Sequence, residues 1–428
     1  MRKRNWIKYL VVWLALAGAV GAVGLFGGGQ EPAVEKKSPA AEEASVPPDP
    51  LSTPEATAEA SPEPTAAPPD QLAGVWVPYL SLETPEHTQE AFEANFKSIA
   101  GSAKEKGLNA LFVHVRPFCD ALYPSELYPW SHVLTGEQGK DPGFDPLAFM
   151  VDYTHSLGME FHAWINPLRV KTAETPSALA KDNPYETLKA DNPYYFMEWE
   201  GALYLDPAYP YVRSLIAKGA AEVAEKYPVD GIHFDDYFYP SQDPSLDGEA
   251  YQLHVESVSE PLELMDWRTA NINAMVAETY ERVKAARPQA KFGISPQGNM
   301  DNDAEMGADV AAWCAVPGYV DYICPQLYYG FEHPVLDYGK SLGQWQELYK
   351  HEDLELYVGL ALYKAGDADQ GEDWLGGDVI SRQIEAARAA ECSGVVLYSS
   401  AYLDAEQTRE EVRNAVETLA RPFQPPAE

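Results

Sequence analysis

The sequence predicts a (β/α)8 TIM barrel, preceded by an apolar N-terminal segment and a disordered linker. Strand-like and helix-like segments alternate from Gly74 onward, helix-to-strand joints are short, and strand-to-helix joints are long. The 428 residues exceed one average domain but fit a single barrel with added segments. A doubly wound open sheet is the structural alternative, because it is built from the same alternation.

The first 70 residues divide into two parts. Residues 1–29 join a basic start, Met1–Asn5, to an apolar run, Trp6–Phe26, which is typical of an export signal. Small residues between Ala17 and Ala22 favour cleavage, whereas the length of the run favours a retained signal anchor. Residues 30–70 are rich in Pro, Glu, Ala, Ser and Thr, which predicts a disordered linker. We therefore expect an exported protein, either secreted or membrane-anchored, that faces the cell wall.

The folded domain is predicted over residues 71–420, with a C-terminal tail over 421–428. The formal net charge of -35 argues against binding to nucleic acid or to anionic lipid, because such a field repels phosphate. An acidic surface also serves solubility, which is the simpler explanation of the charge. The four cysteines are far apart and lack a CxxC pair, so neither a zinc site nor a disulfide framework is expected. We expect a monomer that contacts a membrane only through an N-terminal anchor.

Eight strand-like segments follow one another along the domain. Each is a short run rich in aliphatic and aromatic residues. The predicted strands are Val75–Leu80, Ala110–Arg116, Glu160–Asn166, Gly231–Asp236, Phe292–Pro296, Tyr322–Gln326, Leu356–Leu362 and Val395–Ser399.

Amphipathic helices are predicted between the strands. The first begins at Thr88 as N-cap, ends at Gly107, and places Phe92, Phe96, Ile99 and Ala103 on one face. The segments Tyr211–Tyr227 and Met265–Arg287 repeat this pattern.

The lengths of the connections orient the barrel. Helix-to-strand joints are as short as Leu157–Gly158, whereas strand-to-helix joints span residues 117–146, 167–210 and 237–264. In barrels the loops that follow the carboxyl ends of the strands carry the active site. One face of the domain is therefore predicted to be the functional face.

Alternation along the strands predicts which side chains point into the barrel. In the fourth strand, Ile232 and Phe234 suit the helix layer, so His233 and Asp235 point inward. The other residues predicted to point inward are Phe112, His114, Arg116, His162, Trp164, Asn166, Ser295, Gln297, Tyr322, Cys324 and Gln326, with Tyr328, Tyr363 and Tyr398 at the strand ends. A polar and aromatic ring is thus expected at the open end of the barrel.

Several motifs on these strands resemble those of a known family, the glycosyl hydrolase-like family 10 of exported bacterial glycosidase-like proteins. They are Gly74–Val77, Val115–Pro117, Asp120–Ser125, Pro129–Ser131, His162–Pro167, Val229–Pro240, Ile294–Pro296 and Pro325–Gln326. The resemblance covers nearly all of the domain. It implies a TIM barrel that cleaves glycosides, with bacterial cell-wall glycan as the substrate class.

The fourth strand is also similar to the nucleophile segment of α-amylases. In that segment an inward basic residue precedes the catalytic aspartate by two positions, and His233 and Asp235 match these positions. The fifth strand departs from the pattern, because Gly293–Gln297 contains no carboxylate to act as the partner acid. The mechanism is therefore open at this point.

Glycosidic cleavage needs a proton donor for the leaving oxygen and a second group that stabilises or attacks the anomeric carbon. Asp235 is the first candidate for a catalytic carboxylate. Arg116 either holds Asp235 in a buried ion pair or grips a carboxylate or acetamido oxygen of the substrate. Asp236 faces the helices by strict alternation, so it either swings into the site as a second catalytic residue or fixes the following loop.

Other acids on the long-loop face are alternative proton donors. They are Asp120, Asp206 and Glu332. Asp120 has the alternative role of fixing its own loop, and Asp206 that of a helix cap. A lytic transglycosylase is a further possibility, since there the 6-hydroxyl of the sugar attacks and one acid that later acts as base suffices.

The remaining candidates are substrate-binding residues. Aromatic residues at strand ends suit stacking on pyranose rings, and amide or imidazole groups suit bonding to hydroxyls, although core packing is the alternative for any single aromatic. The predicted substrate-binding set is Arg116, Asp120, His162, Trp164, Asn166, His233, Tyr237, Gln326, Tyr328 and Tyr363. The histidines lack the close acid spacing of a metal site, so neither a metal nor a cofactor is expected.

The sequence thus predicts a glycosidase that acts on a bacterial cell-surface glycan, with the peptidoglycan backbone as the favoured substrate. Two rival functions stay open. A glycan-binding barrel without activity would explain the missing carboxylate on the fifth strand, and a tethered interaction scaffold would not use the inward polar ring.

Overall fold

The computed structural model describes residues 71–236, 238–348 and 350–422. Eight parallel strands pair in chain order and close into a barrel, so the fold is a (β/α)8 TIM barrel and the open-sheet alternative is excluded. The barrel strands, numbered first to eighth, are Leu72–Val77, Ala110–Arg116, Glu160–Ile165, Gly231–Phe234, Lys291–Ile294, Tyr322–Ile323, Glu355–Leu360 and Gly394–Leu397.

Helices surround the barrel and fill its loops. They span Tyr79–Leu82, Gln89–Glu105, His132–Thr135, Pro146–Ser156, Pro184–Leu188, Pro210–Lys226, Gly248–Ser257, Leu264–Ala286, Met300–Glu305, Val310–Ala315, Tyr338–Glu347, Val379–Ala389 and Arg409–Leu419. The first long helix begins as predicted, because the Thr88 side chain accepts a hydrogen bond from the backbone N–H of Ala91 at 3.2 Å. Gly107, with φ of +74°, follows its end.

The first strand lies earlier in the chain than predicted. It spans Leu72–Val77 rather than Val75–Leu80, and a helical turn, Tyr79–Leu82, follows it. Pro78 between the two elements has no N–H to donate to a neighbouring strand, which explains the stop. Leu80 is 65% exposed and therefore adds nothing to the barrel core.

The barrel interior is filled by large rings that pack over glycines. A Cβ atom on Gly231 would lie 2.3 Å from Nδ1 of His162, and one on Gly293 would lie 2.2 Å from the ring of Tyr322. These two glycines therefore make room for rings that point inward from other strands. The packed layers support the carboxyl ends of the strands from below.

The longest connections lie at the carboxyl ends of the strands, as predicted. The loop after the third strand carries a small antiparallel sheet of Arg169–Lys171, Ala202–Leu205 and Phe196–Trp199. The loop after the fourth strand is held by Arg268, which donates to both carboxylate oxygens of Asp247 at 2.8 and 2.6 Å. Both loops start where the polar ring was predicted.

The proposed export segment over residues 1–29, the linker over 30–70 and most of the tail over 421–428 lie outside the described residues. Among the residues that are described, no helix combines the length and apolar character needed to cross a membrane.

Candidate active site

Asp235 lies at the carboxyl end of the fourth barrel strand and points inward. Its Oδ2 atom accepts hydrogen bonds from Nε1 of Trp164 at 3.0 Å and from Nδ2 of Asn166 at 3.1 Å. Trp164 lies on the third strand, in register with His233, and Asn166 is the first residue after that strand. Two donated hydrogen bonds stabilise the charged form of a carboxylate. The structure thus brings together the three residues that the alternation predicts, while their catalytic roles stay predictions.

Asp236, the next residue, has a different hydrogen-bond partner from Asp235. The fourth strand ends at Phe234, so strict alternation no longer applies, and Oδ1 of Asp236 accepts a hydrogen bond from Nε2 of Gln326 at 3.0 Å. The same amide also donates to the carbonyl oxygen of Ser295 at 3.0 Å, which fixes its orientation. Burial raises the pKa of Asp236, and the hydrogen bond from Gln326 opposes this increase. Asp236 is therefore more easily protonated than an exposed aspartate.

The two neighbouring carboxyl groups thus have different environments. Asp235 is held by two donors from the third strand, whereas burial favours the neutral form of Asp236. Environments that separate two carboxyl groups in this way assign the charged role to one and the proton-donor role to the other. The arrangement can protonate a leaving group beside a fixed negative charge.

Three tyrosines form a wall beside Asp235. Tyr328, Tyr363 and Tyr398 come from the ends of the sixth, seventh and eighth strands, are half-buried, and have ring centroids 5.9 to 6.0 Å apart. Burial raises the pKa of Tyr398, and the charges of Tyr363 and Asp235 add to this effect. Tyr398 therefore lies close to the carboxylate. Tyr398 directly follows the eighth strand, and the sequence predicts it in the inward ring but not in the substrate-binding set.

Trp164 and His114 support Asp235 from the barrel interior. The two rings stack with centroids 3.8 Å apart and an interplanar angle of 9°. Trp164 is 7% exposed, and besides this stack its indole N–H donates to Asp235. Burial and the charge of Arg169 lower the pKa of His114, which is therefore neutral at physiological pH. The stack fixes the indole that donates to Asp235.

Arg169 is a functional candidate that sequence reasoning missed. It begins the small antiparallel sheet, its backbone N–H donates to Oδ1 of Asn166 at 2.9 Å, and its Nε donates to the carbonyl oxygen of Pro117 at 3.1 Å. Its positive charge lowers the pKa of Asp236. The residue lies in a long loop without periodic pattern, and only its closeness to Asn166 in sequence signals its position.

His162 and His233 lie below the site rather than in it, which corrects the prediction that they bind substrate. Both are fully buried. His162 stacks on Phe112 with centroids 4.4 Å apart and contacts Glu160 at 3.1 Å. Alternation along a strand predicts which side chains point inward but not at which height, and these two belong to the packed layers of the barrel.

The hydrogen bonds of His233 fix its tautomer. Its Nε2 accepts from Nε1 of Trp76 at 3.1 Å, so Nδ1 carries the proton and lies 2.9 Å from the hydroxyl of Tyr322. Burial lowers the pKa of His233 well below its usual value. A neutral imidazole therefore lies two positions before Asp235, where the α-amylase pattern has a basic residue.

Arg116 does not point into the site, which corrects a second prediction. The pairing of the second and third strands shifts register between His114 and Arg116, so alternation breaks there. The guanidinium of Arg116 lies 4.5 Å from the ring centroid of Tyr128. It also lies against the outer helix Pro210–Lys226, where a Cβ atom on Gly219 would be 2.1 Å from the guanidinium nitrogen. Arg116 is thus packed between the barrel and its helices.

The alternative acids are engaged elsewhere or exposed. Asp120 is fully buried and accepts a hydrogen bond from Nε2 of Gln138 at 3.1 Å, which supports the loop-fixing role over substrate binding. Oδ1 of Asp206 accepts from the backbone N–H of Ala208 at 2.9 Å, and burial raises the pKa of Asp206 to about 7. Glu332 is exposed. Tyr237 lies outside the described residues.

Asp303 is a buried acid near the site that the sequence did not reveal. It is 1% exposed, and its Oδ1 accepts from the backbone N–H of Gln297 at 2.9 Å. Burial raises its pKa to about 8, and the charge of Asp236 adds to this increase. The residue lies in the short helix Met300–Glu305, after the fifth strand, where no inward pattern marks it.

We expect the Asp303→Asn variant to change how stability depends on pH. The folded-state pKa of about 8 exceeds the usual value of 3.8, so between these values the folded protein holds a proton that the unfolded chain has lost. Stability from this group therefore falls as pH rises. Between pH 5 and 7, the free energy of unfolding of the unaltered protein should fall by up to about 1.4 kcal/mol more per pH unit than that of the variant.

The measurement is urea unfolding of both proteins from pH 5 to pH 8. The exposed neighbour Asp301 provides the matched control, and Asp301→Asn should leave the slope close to that of the unaltered protein. Equal slopes for Asp303→Asn and the unaltered protein would contradict the buried, protonated state of Asp303.

A cavity lies at the opposite end of the barrel. It measures about 1020 Å³ and is lined by residues at the amino-terminal ends of strands, among them Glu160, Lys291 and Glu355. Lys291 already pairs with Glu355 at 2.6 Å. Barrel enzymes carry their active sites at the carboxyl ends of the strands, so the candidate site is at Asp235 rather than in this cavity. Among the described residues, no group of three or more His, Cys, Asp or Glu side chains is placed to hold a metal ion.

Comparison with curated proteins identifies two similar hydrolases. The chain is 33% identical to glycosyl hydrolase YngK of Bacillus subtilis (strain 168) over 340 residues, which are 74% of this chain and 64% of that protein. It is 34% identical to glycosyl hydrolase DigH of Escherichia coli (strain K12) over 333 residues, which are 72% of this chain and 75% of that protein. The chain therefore matches less than two thirds of the length of YngK.

Solved structures with similar folds include two glycan-acting domains. The catalytic domain of β-amylase from Paenibacillus polymyxa superposes with a TM-score of 0.58 and 10% identity, covering 83% of this chain and 100% of that chain. The glycoside hydrolase domain of PgaB (BpsB) from Bordetella bronchiseptica has a TM-score of 0.54 and 13% identity, covering 81% and 98%. At these identities the similarity concerns the fold alone.

The family model confirms the relationship that the sequence motifs indicate. The model described as glycosyl hydrolase-like 10 matches residues 71–375, which include all the strands up to the seventh and both carboxylates of the candidate site. Together with the identity to YngK and DigH, this match shows that the chain belongs to the glycosyl hydrolase-like family 10.

Proposed function

We propose that this protein is a glycosidase that hydrolyses a bacterial cell-surface glycan, with the peptidoglycan backbone as its substrate. The observation that carries the proposal is the pair Asp235 and Asp236 at the carboxyl end of the fourth strand, in environments that favour different protonation states. Membership of a glycosyl hydrolase-like family supports the reaction class.

In this proposal each carboxyl group has one role in the reaction. Asp236, whose neutral form is favoured by burial, donates a proton to the leaving glycosidic oxygen. Asp235, fixed by Trp164 and Asn166, supplies negative charge beside the positive anomeric centre of the transition state. Asp236 then acts as base toward the water that completes hydrolysis, because the same group works in both directions.

The three tyrosines beside Asp235 and the positive charge of Arg169 suit a carbohydrate ligand. Tyr328, Tyr363 and Tyr398 offer both ring faces and hydroxyl groups beside Asp235. Gln326 already holds Asp236, and Arg169 adds a positive charge near the pair. A site with aromatic walls and few placed polar groups is the usual form of a small-molecule pocket.

The sequence context supports a location outside the cytoplasm. We propose that the N-terminal segment exports the protein and that residues 30–70 act as a spacer between this segment and the barrel, which faces the cell wall. In this arrangement the partner is the wall glycan, and contact with a membrane is made only through the N-terminal segment. The net charge of -35 disfavours nucleic acid as a partner.

A panel of glycans tests the proposed substrate. The full-length protein is incubated with peptidoglycan glycan strands with peptide stems, with strands freed of stems, and with cellulose oligomers as a control that lacks amino sugars. We expect new reducing ends from the wall glycan, identified by mass, and none from the cellulose oligomers.

Other products would change the proposal in defined ways. Anhydro ends would show lytic transglycosylation instead of hydrolysis. Binding to the strands without any cleavage would favour a non-catalytic glycan-binding barrel, which the absence of a carboxylate in Gly293–Gln297 would then explain.

A further inference from the structure

The two carboxyl groups of the candidate site approach a ligand from one strand end. Glycosidases that use two carboxylates place them about 5 to 9.5 Å apart on either side of the scissile bond. Here Asp235 and Asp236 are adjacent in sequence, and their hydrogen-bond partners come from the end of the third strand and from the segment after the sixth strand. Asp235 is bonded to Trp164 and Asn166, and Asp236 is bonded to Gln326.

The other strand ends provide no carboxylate to face this pair. In the described part of the chain, neither Asp nor Glu occurs within the three residues that follow each of the other seven barrel strands. The buried acids in the loops bond to their own surroundings, Asp120 to Gln138, Asp206 to the backbone of Ala208, Asp247 to Arg268 and Asp303 to the backbone of Gln297. A protein nucleophile on the far side of the sugar is therefore missing from the strand ends.

We infer that the nucleophile is the 2-acetamido group of the substrate itself, oriented by Asp235, while Asp236 protonates the leaving oxygen. This inference rests on the proposed function and narrows it to glycosides of 2-acetamido-2-deoxy sugars. Substrate-assisted hydrolases of this type are a recognised exception to the two-carboxylate scheme. They need one proton donor and one charged group at the acetamido N–H, and both can come from the same side of the sugar.

The first step forms a cyclic intermediate within the substrate. The acetamido carbonyl oxygen attacks the anomeric carbon and forms a C–O bond, while the glycosidic C–O bond breaks and its oxygen takes the proton of Asp236. The positive charge that develops on the acetamido nitrogen is stabilised by Asp235, which accepts a hydrogen bond from its N–H.

The second step restores the acetamido group. Water attacks the anomeric carbon from the side of the departed group, and the carboxylate of Asp236 takes a proton from this water. The bond between the anomeric carbon and the acetamido oxygen breaks, so both carboxyl groups return to their starting states. Two inversions at the anomeric carbon leave its configuration retained.

The surroundings of Asp235 suit the acetamido group. Tyr398 adjoins both Tyr328 and Tyr363, with ring centroids 5.9 and 6.0 Å apart. Such a wall offers apolar ring surface for the methyl group and a hydroxyl that can donate to the acetamido oxygen. Asp235 is 3% exposed and fixed by two donors, so it is oriented before the substrate binds.

Removal of the acetyl group tests the inference directly. Stem-free glycan strands are chemically de-N-acetylated, and one portion is re-N-acetylated as the matched control. The full-length protein should cleave the de-N-acetylated strands at least roughly 10³-fold more slowly than the original strands, because the intramolecular nucleophile is gone. Re-N-acetylation should restore the rate, and N-trifluoroacetylation should lower it, since fluorine weakens the carbonyl nucleophile.

The outcomes separate this inference from the proposed function. Cleavage of de-N-acetylated strands within about tenfold of the original rate would overturn the inference and leave the glycosidase proposal intact. An inverted anomer in the first-formed product, seen by NMR, would do the same. Failure to cleave any of the strands would overturn the proposed function and the inference with it.

Discussion

Replacement of Asp235 by asparagine is expected to lower kcat/KM for glycan cleavage by at least about 10³-fold without unfolding the protein. The variant removes the negative charge that faces the anomeric centre in the transition state. The asparagine oxygen can still accept from Trp164 and Asn166, which now donate to Oδ2 at 3.0 and 3.1 Å. The thermal midpoint should therefore change little. Kinetics on stem-free glycan strands, together with thermal unfolding, measure both effects.

The matched control for this substitution is Glu332→Gln, which also neutralises an acid on the long-loop face. Glu332 is exposed and only its backbone N–H bonds nearby, to Asp373. We expect this variant to retain the activity of the unaltered protein. Near-normal turnover by Asp235→Asn would end the assignment of Asp235, and loss of activity by Glu332→Gln would point to a proton donor outside the fourth strand.

Replacement of Arg268 by methionine is expected to destabilise the fold by about 3–5 kcal/mol. Arg268 and Asp247 form an ion pair at 2.6 Å in which both side chains are fully buried. The guanidinium also donates to the carbonyl oxygens of Ser241 and Asp243 and lies 4.9 Å from the ring centroid of Tyr239. Without it, Asp247 is left as an uncompensated buried charge. Urea unfolding measures the loss.

The same helix, Leu264–Ala286, provides the control for the second prediction. Arg282 pairs with Glu278 at 2.9 Å, but their side chains are 39% and 26% exposed. Arg282→Met should therefore cost less than about 1 kcal/mol. If the two variants lose similar free energies of unfolding, burial of the Arg268 pair does not increase the cost of breaking it. Because the pair holds the loop after Asp236, Arg268→Met should also lower turnover in the fraction that stays folded.

Elements with strong local patterns were predicted closely from the sequence. The second barrel strand, Ala110–Arg116, has the predicted bounds, and the fourth strand differs from its prediction only in ending at Phe234. The long loops lie at the carboxyl ends of the strands, where the sequence predicts them. Asp235, Trp164 and Asn166 were brought together by two alternating strands whose register follows from parallel pairing.

Local patterns failed where the backbone departs from regular geometry. Arg116 follows a register shift, which reverses the side to which its side chain points. His162 and His233 were placed on the correct side but at the wrong height, because alternation carries no information about depth in the barrel. The first strand was placed late because Pro78 ends it.

Residues that reach the site from irregular segments carried little signal. Arg169 lies in the loop after the third strand, and Asp303 lies in a short helix after the fifth. Their proximity to Asp236 depends on how these loops fold back over the barrel, which no periodic pattern encodes. The sequence correctly showed that the fifth strand lacks a carboxylate, and the structure shows an acid placed farther along the same loop.

The central claim is that the carboxyl groups after the fourth strand act on a glycosidic bond, and a crystal structure of Asp235→Asn with a stem-free glycan fragment tests it most directly. We predict that the scissile oxygen lies within about 2.6–3.2 Å of the Asp236 carboxyl group. We also predict that the acetamido N–H of the sugar on its non-reducing side points at residue 235. A fragment bound only in the cavity at the opposite end of the barrel, or with its glycosidic oxygens out of reach of Asp236, would contradict the account.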